Sequence, residues 1–226
     1  MIIKNILILL IISLFFIRCN NSNIKSEGVI LYEISYPKIK SNSIFNMFLP
    51  SNMETYFDKY NVRSNFNGIL KNSIFTNSED KTYIHTINDF SRKYKLELKE
   101  CDVDKIIKKV NNNFKIEYTK EEKKILGYNC KKAILINKNN NQKYCIYYTE
   151  EINIYDPNWN TPYKEIKGVL LEYETVINKI EMKFIAKNIE FKEIDKSMFS
   201  VDKEYKNINI TEFDGIMDKY VQNSVN

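Results

Sequence analysis

From Gly28 to Phe191 the chain keeps returning to a two-residue rhythm of apolar and polar side chains, and that rhythm limits the folds open to it. GVILYEISY (28–36) alternates and stops before Pro37, and KTYIHTI (81–87) and KYKLELKE (93–100) do the same. Successive side chains of a strand point to opposite faces, so each segment reads as a strand with one buried and one wetted face. SIFNMFL, METYFDKY and VRSNFNGIL are rich in branched or aromatic residues and bounded by Asn, Ser, Pro or Gly, and FKIEYT reads as a further strand. YNCKKAILIN and KYCIYYT flank the turn KNNNQ as a hairpin, and KGVLLEYETV and NKIEMKFIAKNIEFKEI are two long strands. In the last of these Ile180, Met182 and Phe184 share a parity that Ile189 and Phe191 do not, which predicts a bulge or bend at Ala186 to Asn188. The expected fold is mainly β: a curved antiparallel sheet, or half-barrel, with a few short helices on one side.

The period changes twice. In CDVDKIIKKVNNN, Val103, Ile106, Ile107 and Val110 fall at helical spacing, with lysines opposite. In TEFDGIMDKY, Phe213, Ile216, Met217 and Tyr220 form a second stripe, with Thr211 as N-cap and Asp214 three residues later. PNWNTPY carries the only tryptophan and reads as an irregular connection. We find no internal repeat or linker. The expected organisation is a signal peptide over 1–18, a tether over 19–27 and one β-rich domain over 28–226.

The signal is read from Lys4 and the apolar run Ile6 to Ile17, broken only by Ser13. A membrane-spanning helix needs about 20 apolar residues, so the run fits a cleaved export signal better than an anchor. Cys19 then stands where a bacterial lipoprotein carries its acylated cysteine, with a polar Asn/Ser tether behind it. Buried methylene groups contribute about 0.8 kcal/mol each to such an anchor. Lipoprotein signals place small residues before the cysteine; here Phe16-Ile17-Arg18 precedes it, and a free cysteine after a different cleavage is the competing reading. Lipid attachment at Cys19 predicts an envelope location, on the outer membrane or a periplasmic face.

Positive charge is modest and dispersed, at +5 overall, unlike the clustered basic face that nucleic acid requires. Beyond Cys19 the thiols are Cys101, Cys130 and Cys145, too few and odd in number for a disulfide scaffold. Cys130 and Cys145 flank one hairpin and form the candidate disulfide pair. A turn near Asn139 puts residue 134 opposite Cys145, so a bond would need a shifted register. Cys101 reads as unpaired.

Chemistry-bearing patterns are scarce. His85 is the single histidine and shares the apolar parity of Tyr83 and Ile87, so it reads as a satisfied structural residue rather than a ligand. Glu121 and Glu122 are adjacent on a strand and point apart, which predicts solvated charges rather than an acid/base pair; Asp102 and Asp104 read likewise. There is no Gly-rich phosphate loop, no C-x-x-C and no H-E-x-x-H. The expectation is a protein without catalytic, metal or cofactor sites. The 16 tyrosines and 13 phenylalanines either line a ligand cavity or fill an ordinary core.

Several stretches together resemble a known family: GVILYEISYP, LPSNMETYFDKYNVR, KKILGYNCKKAILI followed by YCIYYTEEI, YKEIKGVLLEYE, and FKEIDKSMFSVDKEYKNI. They are similar to the GLPGLI-type domain-of-unknown-function proteins of Bacteroidota, envelope proteins that are often lipoproteins. That family in turn resembles LolA/LppX-like lipoprotein-carrier half-barrels. The resemblance covers most of residues 28–210, but the namesake Gly-Leu-Pro-Gly stands here as Glu165-Ile166-Lys167-Gly168. It implies a curved sheet closed on one side by helices around an apolar concavity. In the carriers that concavity binds acyl chains, so the implied partners are a lipid or a lipoprotein acyl chain and, through the anchor, the membrane. No catalytic residue carries over. The alternative is a structural or interaction protein of the envelope whose curved sheet is filled by its own side chains.

Overall fold

In a computed structural model, the described residues are 26–39, 49–89, 92–111, 113–177 and 180–225. The signal run, Cys19 and the SIFNMFL strand (but for Leu49) lie outside them.

Among the described residues, eleven antiparallel strands form one curved sheet: β1 (Gly28–Ser35), β2 (Asn52–Phe57), β3 (Asn61–Asn67), β4 (Lys71–Asn77), β5 (Thr82–Asp89), β6 (Arg92–Lys99), β7 (Phe114–Ile125), β8 (Tyr128–Asn137), β9 (Lys143–Thr149), β10 (Val169–Ile177) and β11 (Ile180–Phe191). A two-residue strand, β12 (Lys206–Asn207), pairs parallel to β6 at one edge. The spatial order is β12-β6-β5-β4-β3-β2-β1-β11-β10-β9-β8-β7. Helix α1 (Glu100–Asn111) leaves the end of β6 directly, and α2 (Ile210–Val225) follows β12. The mainly β, curved-sheet expectation holds.

Register carries the apolar parity from strand to strand. Tyr83, His85 and Ile87 face Leu98, Leu96 and Tyr94 of β6 and, on the other side, Thr76, Ile74 and Asn72 of β4. The same face continues through Val62 and Phe66, Phe57 and Met53, and Ile30 and Tyr32, to Ala186 and Phe184. The bulge expected in β11 is present: Leu31 pairs with Asn188 and Tyr32 with Ala186, so Lys187 is the extra residue. Without it, Ile189 and Phe184 could not both face inward.

Three details differ from the sequence reading. β7 is twice as long as FKIEYT, because the charged run 120–124 continues the strand beyond a register shift. It then turns back through Leu126 and Gly127, both at positive φ. The strand KNSIFTN (71–77) was not anticipated, since Ser, Asn and Lys dilute its alternation. The cap of α2 is Asn209, not Thr211. Asn209 Oδ1 accepts from Glu212 N at 3.0 Å while Glu212 Oε2 accepts from Asn209 N at 2.9 Å, a reciprocal box that starts the helix earlier.

Candidate functional site

The inner face of the sheet is covered in two ways. Over β8 to β10 the cover is the loop 150–168. Tyr163 and Ile166 pack against Ala133, Leu135, Ile146 and Leu170, all buried. The loop is held by polar groups: the Asn158 amide donates to the Ile166 and Gly168 carbonyls, both at 2.8 Å. The Tyr163 hydroxyl donates to Glu174 O at 2.5 Å. Asp156 receives Lys81 at 2.7 Å and Lys167 at 3.2 Å, and these lysines help keep its carboxyl below the usual range despite partial burial. The segment read as an irregular connection is therefore a built plug, with Trp159 only 7 % exposed.

Over β5 and β6 the cover is helical. Val103 and Ile107 of α1 pack with Trp159 against Tyr83 and Leu98. Ile208 and Phe213 pack with Ile87 and Leu96, and Leu98 touches this cluster too. Between the helices an open groove remains, with a volume of about 550 Å³. Leu96 and Leu98 form its floor; Asp102, Lys105 and Ile106 of α1 form one wall, and Ile208, Ile210 and Glu212 the other. Ile106 and Ile210, on opposite walls, are 39 % and 40 % exposed. The groove arises because α1 leaves the end of β6 while β12 returns alongside it. Ile208 N donates to Lys95 O at 2.9 Å, and Lys93 holds Glu204 at 2.5 Å.

His85 lies next to the groove floor, opposite Leu96. Its ring is tilted on Phe213 at 4.7 Å, and Nδ1 meets the Tyr83 hydroxyl at 3.4 Å. Nε2 is buried with no hydrogen-bond partner among the described residues, so the expectation of a satisfied histidine is corrected; the Trp159 indole N–H is in the same position. Burial in an apolar setting pulls the His85 pKa down to about 4.

The remaining sequence candidates do not converge. Cys145 pairs with Ile134, as the turn position predicts, and Cys130 with Lys123. Both thiols are free, and so is the exposed Cys101. Glu121 accepts from Lys132 at 2.6 Å and from the Tyr147 hydroxyl at 2.5 Å, on the outer face. Asp102 pairs with Lys105 at 3.0 Å within α1, and Asp104 reaches Lys164 of the plug at 3.5 Å. No group of three or more His, Cys, Asp or Glu placed to hold a metal occurs among the described residues. The groove itself was invisible to sequence reasoning; its one trace was Ile106, an apolar residue on the edge of the α1 stripe.

Sheet, plug and groove define an open β half-barrel whose inner face is covered by helices and a loop. The chain belongs to the DUF4412 family, described as a domain of unknown function, which matches residues 27–157. The curated proteins yield no match. Among solved structures it is similar to PNGF-II in space group C2, at 16% identity and a TM-score of 0.56, covering 86% of this chain and 33% of that one. PNGF-II in space group P21 aligns at 15% identity and a TM-score of 0.55, covering 86% and 34%. The chain thus spans about a third of PNGF-II, and the likeness is one of fold. A β-barrel-like protein of domain of unknown function DUF1849 from Brucella abortus aligns at 7% identity and a TM-score of 0.32, covering 74% of this chain and 98% of that one.

Proposed function

We propose that this chain is an exported envelope protein, lipid-anchored at Cys19, that binds the apolar part of a ligand such as an acyl chain in the groove between α1 and α2. The observation that carries the reading is the pair of exposed isoleucines, Ile106 of α1 and Ile210 of α2, that line one cleft together with Leu96 and Leu98. Its volume of about 550 Å³ lies within the usual range of ligand sites. The role is binding rather than catalysis. The resemblance to GLPGLI-type envelope proteins and LolA/LppX-like carriers supports the same reading, through Gly127-Tyr128-Asn129-Cys130-Lys131-Lys132-Ala133 and Gly168-Val169-Leu170-Leu171-Glu172.

Native mass spectrometry of the protein purified from membranes tests the binding. The expected result is an acyl-containing adduct that is lost in Ile106→Asp. Repeated recovery without lipid overturns it. For the anchor, Cys19→Ser should move the protein out of the membrane fraction and abolish fatty-acid labelling; retention in the pellet means the apolar run itself is the anchor.

A second reading has its own observation. The inner face over β8 to β10 is filled by Tyr163, Ile166 and their neighbours, as in a protein whose sheet serves only to display a docking surface. Cross-linking in intact cells that captures one defined partner, with no bound lipid, favours this alternative.

A further inference from the structure

The strip of α2 that walls the groove rests on a histidine whose second proton would find no charged partner among the described residues. Phe213 sits on the His85 ring at 4.7 Å, and Ile216 and Met217 continue the contact onto the cluster of Ile87 and Leu96. Every side chain facing His85 in register is uncharged: Ile74 from β4 and Leu96 from β6, with Tyr83 next to it on β5. From α2 the facing group is Phe213, while Glu212 and Asp214 are exposed. The Tyr83 hydroxyl is the polar neighbour, and its own titration is driven further up by burial, so it supplies no negative charge. Nε2 has no partner among the described residues. Among the described residues, an imidazolium at this position would be a buried charge without a counter-ion.

Two ways of accommodating the charge are available: unfold the sheet, or lift α2. The sheet side of the contact is held by ladders on both edges of β5. The described part of α2 is held by its apolar stripe and the Asn209–Glu212 box, so opening it locally is the cheaper route.

We propose that His85 is an acid-sensitive latch: its protonation releases α2 from the sheet and removes one wall of the groove. This rests on the groove reading only for its consequence, the loss of ligand; the release of α2 stands by itself. The sign follows from linkage. His85 has a folded pKa near 4, below the ordinary 6.5, so docking is fully supported above pH 6.5. Support weakens as pH falls from 6.5 and is exhausted near pH 4, where both states bind the proton.

The test is hydrogen exchange at pH 7 and pH 4.5, corrected for intrinsic rates, on the full chain and on His85→Leu. In the parent, protection over residues 210–219 should fall about fiftyfold at the lower pH, the ratio set by the two pKa values. Protection of β1 and β11 should hold, and His85→Leu should flatten the response. Unchanged protection of α2 at pH 4.5 overturns the proposal. So does an equal loss in His85→Leu, or simultaneous loss across the whole sheet. Dodecyl maltoside binding at both pH values separates the two readings. Release of α2 without any binding at pH 7 keeps the latch and removes the groove.

Discussion

The two halves of the sheet solve the same problem differently. On β1, β2 and β11 the inward residues are sealed: Ile30 and Phe57 are 0 % exposed and Phe184 is 2 %. On β3 and β4 the residues of the same face, Val62, Ser64, Phe66, Ile74 and Thr76, are only half-buried, and beyond them lies the groove. Composition explains part of this. The sealed half interlocks rings, Tyr173 stacked on Phe184 at 4.7 Å and Phe191 edge-on to Phe57 at 6.0 Å. The open half places Ser64 against Thr55 of β2, hydroxyl to hydroxyl at 3.0 Å, in place of an interlocked ring pair. A filled face stabilises; a half-filled one leaves room to bind. This protein carries both on one continuous surface.

The contrast can be broken at several points. Phe184→Ala removes the ring at the centre of the sealed half and should cost about 3–5 kcal/mol, seen as a large fall in Tm with loss of cooperativity. A cost below about 1 kcal/mol would mean that this half is not the core. Phe213→Ala should cost about 3 kcal/mol in the docking of α2. Because that contact is peripheral, the loss should appear as exchange over 210–219 while urea unfolding of the sheet shifts much less. Equal shifts in both would show that the open half is not separable.

Gly168→Ala sharpens the role of the plug. An added Cβ would lie 2.6 Å from Thr149 O and 2.9 Å from the Tyr148 ring, so the backbone must move. The expected loss is about 1–3 kcal/mol by chemical denaturation. A neutral result would show that the loop rides on the sheet rather than locking it. Ile106→Asn should change stability by about 0.5 kcal/mol or less, because the side chain already faces solvent. It should still weaken acyl-chain binding. A stability loss comparable with Phe184→Ala would mark Ile106 as core and remove the groove.

How much was legible follows the same division. The alternation in β1, β5 and β6, the β11 bulge, and the pairing of Cys145 with Ile134 could all be read from spacing, since each depends on a period of two or on turn position. The α1 stripe was legible too, though its spacing does not reveal that Val103 and Ile107 are buried while Ile106 is left at the groove. His85 was placed on the correct face, but its unpartnered Nε2 was not foreseen. Hydrogen-bond satisfaction depends on which residues other elements bring near, here Ile74, Leu96 and Phe213, from three separate segments.

What this sequence determined unaided is therefore local: where strands alternate, where their phase slips, and which stripe each helix turns inward. These follow from backbone geometry, which repeats every 2 or 3.6 residues whatever the rest of the chain does. Tertiary structure alone decided which parts of the inner face are sealed. It folded the loop 150–168 over β8 to β10, against Tyr173 and Ala133, and returned β12 beside β6 so that two helices end up a groove apart. Burial of that kind is a property of distant segments meeting, and no periodicity along the chain encodes the distance between them.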